Sequence, residues 1–293
     1  MKHAVGDEEG NLREFGSFPT PNLDVESLLR EMSRVYGQAA ASCTIRGVAV
    51  SCPGAVDWKA GVIHGTSAVP CIHQIPFRAM LSSRFPGIPL FIENDARCFA
   101  WGELWKGSAV GSRHFSAITI GSGIGGAMVH DGRVLHGAHL CCGEVSNFPI
   151  GEQMQDGSRG KWSDYTPVNL AKQYGAILGR PLTGQQLFEM ADAGDRTAKD
   201  YLDRFYYYTA LGCILIQFAF DPERIVVGGG VSRRKGLAEC LDRKMEEILP
   251  QKANYGFLKP VLVISRDDNQ SNLRGALYCL LGQSEEGNGC ISV

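Results

Sequence analysis

Twice in the first 107 residues an apolar strand follows a helical stretch and stops at a polar or glycine-marked end, and this alternation restricts the fold most. The stretch "NLDVESLLREMSRVYGQAAA" places Leu23, Val25, Leu28, Leu29, Met32 and Val35 at roughly helical spacing. A buried strand, Ile45 to Ser51, then runs into Pro53-Gly54. The second unit reads "PFRAMLSSRF", a Pro-Gly break, "IPLFIENDA", and a helix "ARCFAWGELWKG" closed by glycine. Helix and strand alternating in this way predict an α/β architecture with parallel pairing.

Ahead of this lies a hairpin. Residues 2 to 5 read as a strand, Asp7 to Asn11 as a turn cluster, and Leu12 to Phe18 as the return strand. A new strand set starts near Phe115, so a boundary is expected in "GSAVGSRH", residues 107 to 114. "FSAITIGSGIGGAMVHDGRVLHG" predicts a β-meander, with helices after it, then "DPERIVVGGGVS" as a strand ending in a glycine loop, and a last helix through "NQSNLRGALYCLLGQ". The expected division is 1–107, completed by a helix at about 271–283, and 112–270, consistent with the length prior of about two domains for 293 residues.

A net charge of −2 gives no electrostatic reason to expect nucleic acid or an acidic membrane as partner. No apolar run approaches the ~20 residues of a membrane span, and residues 1 to 15 lack the apolar core of a signal peptide. Ten cysteines raise the question of a disulfide scaffold or a metal centre, but no C-x-x-C occurs and several lie in apolar runs such as "GCILIQFAF". Reduced structural thiols, a cytoplasmic location and no zinc are expected.

Three segments could carry chemistry. In "IENDA", Glu93, Asn94 and Asp95 end an apolar strand, where α/β folds place ligands; a following helix also wants Asn or Asp as its cap. In "TIGSGIGG", Gly121, Gly123, Gly125 and Gly126 let backbone amides approach an anion and Ser122 adds a hydroxyl, but a tight hairpin needs glycine too. In "IVVGGGVS", Gly228, Gly229 and Gly230 offer a flat surface for a nucleoside, or for a closely packed helix.

In this order the three, together with "VSCPGAVD", "GVI", "GDEEGN", "GAMVHDGRVLHGAH" and "CGEVSN", resemble the ROK family of sugar kinases and sugar-responsive repressors. The resemblance runs over almost the whole chain, and "GTSAVPCIHQIP" looks closest to the β-glucoside kinase-like branch without the zinc cysteine cluster. It implies an actin/hexokinase-like ATPase fold of two domains, each with a mixed central sheet and flanking helices. It also implies ATP-dependent phosphorylation of a hexose or β-glucoside, with Mg2+ bridging the phosphates.

Carried over by position, Asp95 would be the catalytic base, with Asn94, Glu144 and Asn147 as sugar ligands. Ser122, Gly123, Gly125 and Gly126 would form a phosphate loop, and Gly228, Gly229, Gly230 and Ser232 an adenosine loop; no residue is assigned to a protein-held metal. A homodimer through the second domain is implied, with Phe205 to Tyr208 as contact candidates or as helix core.

Two departures from the family pattern stand out. "GEVSN" places Asn147 where most members have a histidine that touches sugar or zinc. The strand bearing Asp-x-Gly-Gly-Thr, with which members open, has no counterpart here. Its neighbours in the sheet are then expected to stand unpaired and the first domain to be unstable unless another chain supplies the strand. The alternative function is therefore a catalytically impaired sugar-binding or regulatory protein. A chaperone or cytoskeletal ATPase is disfavoured by the sugar-type residues Asn94 and Glu144.

Overall fold

The computed structural model describes residues 1–154, 156–249, 259–266 and 270–285, the side chains of 283–285 excepted. In chain order its elements are β1 (Lys2–Gly6), β2 (Leu12–Ser17), α1 (Val25–Ala40), β3 (Val48–Cys52), β4 (Ala55–Asp57), β5 (Val62–His64), α2 (Phe77–Arg84), β6 (Leu90–Asn94) and α3 (Asp95–Lys106). There follow β7 (Phe115–Ile120), β8 (Ile124–His130), β9 (Arg133–Val134), α4 (Pro167–Ile177), α5 (Gly184–Asp192), α6 (Arg196–Phe220), β10 (Arg224–Gly228), α7 (Leu237–Ile248), β11 (Leu262–Ile264) and α8 (Ser271–Glu285).

The chain divides into two compact units. One contains Met1–Val110, His136–Cys141 and the C-terminal stretch from Asp267, and the other contains Gly111–Leu135 and Cys142–Arg266. The first cut between them follows Val110. Six residues, His136–Cys141, belong to the first unit, where the sequence reading placed them in the second.

In the first unit the opening hairpin forms as expected: β1 pairs antiparallel with β2, and the Asp7 carboxylate accepts the Asn11 amide at 2.8 Å to close the turn. β3 pairs in parallel with β6, Cys52 opposite Asn94. The expected strand from Ile45 starts three residues later, at Val48. Its partner begins at Leu90, and Pro89 before it has no N–H with which to extend the ladder; Val48 instead donates to the Pro89 carbonyl at 2.9 Å.

The described residues of this unit hold three two-stranded ladders, β1–β2, β3–β6 and β4–β5, in place of one mixed central sheet. A cavity of about 1110 Å³ runs along β1 and β3. Leu28 and Met32 of α1 line it, as do Ala276, Leu277 and Leu280 of α8.

α8 comes close to the backbone of α3 at two glycines. A Cβ on Gly102 would stand 2.0 Å from the Ser271 carbonyl oxygen, and one on Gly275 only 1.6 Å from that of Cys98, so both positions require glycine. Buried Glu103 of α3 accepts the Ser271 hydroxyl at 2.6 Å and so pins the start of α8.

The second unit has a five-stranded sheet in the order β11-β10-β7-β8-β9. β10 runs parallel to β7 and β11, while β8 is antiparallel to β7 and β9. α6 crosses its core: Phe205 and Tyr208 are buried, and Tyr207 is exposed. Core packing thus accounts for two residues of the aromatic run.

Every described cysteine is a free thiol, and Cys290 lies outside the described residues. Burial pushes the thiol of Cys213 up to about 12, and those of Cys52 and Cys98 well above the ordinary range, as expected of cysteines acting as small apolar groups. Among the described residues no helix is long and apolar enough to cross a membrane.

Candidate functional site

β6 ends where α3 begins, and the junction is made by three consecutive residues with different duties. Asn94 is the N-cap: its Oδ1 accepts the amides of Ala96 at 2.9 Å and Arg97 at 3.1 Å, while Nδ2 donates to the Gly54 carbonyl at 3.0 Å. The capping alternative therefore holds for Asn94, whose side chain keeps one amide proton for any further partner.

Asp95, the first residue of α3, uses one carboxylate oxygen to accept the Ala96 amide at 2.9 Å. The other oxygen has no protein partner among the described residues. The side chain is half-buried, and desolvation raises its pKa above the ordinary aspartate value while backbone hydrogen bonds oppose the shift. A carboxylate that is reachable, half unpartnered and less acidic than usual is equipped to take a proton.

Glu93 points the other way, into the protein, and is 1% exposed. Its Oε1 accepts the Asn94 amide at 2.6 Å and lies 3.4 Å from Arg97 Nη1, and its Oε2 meets His136 Nε2 at 2.7 Å. A carboxylate only accepts, so His136 carries the proton on Nε2. Arg97 in turn donates from Nη2 to the Leu140 carbonyl at 2.8 Å. Asn272 of α8 donates to the main-chain carbonyl of Asp95 at 3.0 Å. Glu93, Arg97 and His136 thus hold the residues on either side of the candidate base and Asn272 holds its carbonyl; of the four, the sequence reading singled out only Glu93, as part of the strand end.

In the second unit two loops leave the carboxyl ends of the parallel pair β7 and β10, and a third turn packs on β8. The β7–β8 turn carries Ser122 and Gly123, both exposed, closed by the Gly121 amide on the Gly123 carbonyl at 2.9 Å. Nothing lies within 4 Å of a Cβ built on Gly121 or Gly123, and neither has positive φ. Packing and backbone conformation therefore leave these glycines unexplained. The Ser122 carbonyl accepts Asn169 Nδ2 at 3.3 Å from the first turn of α4, a buttress the sequence reading did not foresee.

Gly126 and Gly143 lie backbone to backbone, a Cβ on either meeting the other's carbonyl oxygen within 2.7 Å. This contact seats the turn that presents Glu144, half-buried, and Asn147, exposed with its Oδ1 3.3 Å from Lys161 Nζ. After β10, Gly229 has φ +86° and a Cβ there would stand 2.5 Å from the Ile120 carbonyl oxygen, so close packing accounts for this glycine. Gly230 faces open space, and Ser232 Oγ donates to the Gly229 carbonyl at 2.8 Å, closing the loop.

Asn94 and Asp95 therefore sit together in the first unit. The phosphate-loop and adenosine-loop candidates, Glu144 and Asn147 sit in the second. Among the described residues one set of three potential metal ligands occurs, His114, His130 and Asp131, at the end of the β7–β8 hairpin opposite its glycine turn. No cysteine belongs to it.

The ROK family model matches residues 1–283 of the chain. A β-glucoside kinase of Listeria monocytogenes is 30% identical over 264 residues, covering 88% of this chain and 86% of that protein. A glucokinase of Thermotoga maritima is 31% identical over 226 residues, 71% of each chain. Among solved structures, a ROK family protein of Streptococcus pneumoniae in complex with sucrose superposes with a TM-score of 0.84 at 28% identity, covering 97% of this chain and 95% of that one. A ROK hexokinase of Thermus thermophilus superposes with a TM-score of 0.79 at 28% identity, over 98% and 96% of the two chains.

Proposed function

This chain belongs to the ROK family, and from that premise we propose that it is a carbohydrate kinase that transfers the γ-phosphoryl group of ATP to a hydroxyl of a hexose or β-glucoside. The observation that carries the reading is the state of Asp95: half-buried, one oxygen anchored to the Ala96 amide, the other unpartnered among the described residues, with its pKa raised by desolvation. In the proposed reaction that second oxygen accepts the proton of the sugar hydroxyl as the hydroxyl oxygen attacks phosphorus. The phosphoryl group passes from ATP to the sugar oxygen, and ADP leaves with the electrons of the broken bond. Positioning and charge supply most of the acceleration in such a transfer.

The other residues divide the remaining work. Asn94 contributes its remaining amide proton to a sugar oxygen, and Glu144 accepts from vicinal hydroxyls. Asn147 offers an amide that hydrogen-bonds a hydroxyl at any pH. The amides around Ser122 and Gly123 receive the phosphates, which explains glycine at positions where neither packing nor φ demands it. Gly230, open to solvent, lies under the nucleoside.

A divalent cation accompanying ATP would supply charge neutralisation at the phosphates. In this chain the ion would be held by the phosphates and water, since no described cluster of carboxylates forms a cage for it. Magnesium suits that arrangement because it retains several waters.

Among the described residues the β3–β6 ladder has no further hydrogen-bonded neighbour, and this, with the cavity along β1 and β3, favours one other reading: sugar binding without transfer. Coupled ADP release with glucose, N-acetylated hexosamines and β-glucosides, set beside calorimetric sugar binding, separates the two. Turnover supports the kinase, and binding without turnover supports the sensor.

A further inference from the structure

We infer that His136 is a positioning residue for Asp95, acting through the buried Glu93 carboxylate; the inference rests on the kinase reading above. Glu93 has two close donors, the Asn94 amide at 2.6 Å and His136 Nε2 at 2.7 Å, whereas Arg97 Nη1 stands off at 3.4 Å. One carboxylate oxygen therefore holds the backbone immediately before Asp95 and the other is held by the imidazole. Without the imidazole, Oε2 is left in a 1% exposed site with no donor as close. The carboxylate then gains by turning toward Arg97, which breaks its bond to the Asn94 amide.

The segment bearing His136 is fastened at its other end as well. Leu140 adopts φ +59°, a conformation leucine rarely takes, and its carbonyl accepts Arg97 Nη2 at 2.8 Å. Arg97 follows Asp95 by two residues, so both flanks of the base are tied to His136–Leu140. This explains why the six residues His136–Cys141 group with the first unit. A shift of about 1 Å in a reacting group costs on the order of 100-fold in rate, so the clasp has kinetic leverage without touching the sugar.

The test compares His136→Ala and His136→Gln with the unaltered chain; glutamine can present an amide proton near the place of Nε2. Two readouts are taken: steady-state kinetics with the sugar turned over fastest, and amide exchange at Asn94–Arg97 in ligand-free protein. The alanine variant is expected to lose about 10- to 100-fold in kcat with KM for ATP unchanged, and to exchange faster at Asn94–Arg97. Glutamine is expected to restore both to within about 5-fold of the unaltered chain, well inside that loss.

Unchanged kcat and exchange in the alanine variant overturn the inference. So does accelerated exchange throughout the unit, which marks a general structural role, or a glutamine variant as impaired as alanine, which marks direct chemistry by the ring. If the unaltered chain turns over no sugar, the kinase reading falls. The exchange arm then decides alone: faster local exchange reversed by glutamine sustains the positioning role, and unchanged exchange ends it.

Discussion

Asn272, on the last helix, donates its side-chain amide to the main-chain carbonyl of Asp95 at 3.0 Å across 177 residues of sequence. The helix that completes the first unit therefore reaches the first residue of α3. The approach depends on Gly102 and Gly275, where no Cβ fits. Gly275→Ala pushes α8 off α3 and is expected to cost at least ~2 kcal/mol. That corresponds to a fall of about 4–8 °C in the thermal midpoint. Differential scanning calorimetry checks it, and sugar-dependent ADP release should fall with it because Asn272 retreats from Asp95.

Asp95 gives a prediction on pH whose sign is fixed. Desolvation raises its folded-state pKa above the ordinary value of 3.8, so between the two values the folded chain binds more protons than the unfolded one. Stability contributed by this group is full below the unfolded value and is lost as pH rises through the folded value. Asp95→Asn removes the burden of a desolvated charge and keeps an oxygen for the Ala96 amide. Thermal melts at neutral pH are expected to show a higher midpoint for the variant than for the unaltered chain. The acid limb of the kcat/KM profile, which reports the free enzyme, is expected to lie above the ordinary aspartate range, because the base must be ionised to act.

Gly123 separates a phosphate loop from an ordinary tight turn. Alanine there meets nothing within 4 Å and requires no left-handed backbone. Gly123→Ala is therefore expected to leave the thermal midpoint unchanged and to raise KM for ATP about 10-fold, the equivalent of ~1.4 kcal/mol of lost phosphate contact. Substrate-saturation curves measured for ATP and for sugar separately check it, with KM for sugar unmoved.

The strand edges yield a prediction about local stability. Among the described residues β1 has only β2 as a hydrogen-bonded neighbour and β3 only β6, whereas β10 lies between β7 and β11. Amide exchange is expected to be at least about 10-fold faster over Lys2–Gly6 and Val48–Cys52 than over Ile225–Gly228, since edge strands open at lower free energy. Exchange read by mass spectrometry after pepsin cleavage resolves the three segments.

What could be read in advance follows from the range of each interaction. The hairpin from Lys2 to Ser17, the strand end at Asn94 and the glycine stop after Lys106 announce themselves through residues adjacent in sequence. That Asn94 caps α3 needed the structure, because cap and ligand ask for the same side chain and only its bonds from the Ala96 and Arg97 amides show the cap. His136 on Glu93, Asn169 on Ser122 and Asn272 on Asp95 join residues 43, 47 and 177 positions apart. No local pattern encodes such pairs. Gly229 was legible as a loop glycine, but its reason, contact with the Ile120 backbone, belongs to the parallel pairing of β10 with β7.

The central claim is that Asp95 is the base of a sugar kinase, and coupled ADP release from the purified chain tests it most directly. With ATP, magnesium and the sugar panel, the unaltered chain is expected to show sugar-dependent turnover. Asp95→Asn is expected to reduce kcat by at least ~100-fold, the lower range for loss of a general base, while calorimetry finds sugar binding retained. An Asp95→Asn variant that turns over sugar at the unaltered rate would contradict the claim, as would a folded, sugar-binding chain that releases no ADP with any sugar.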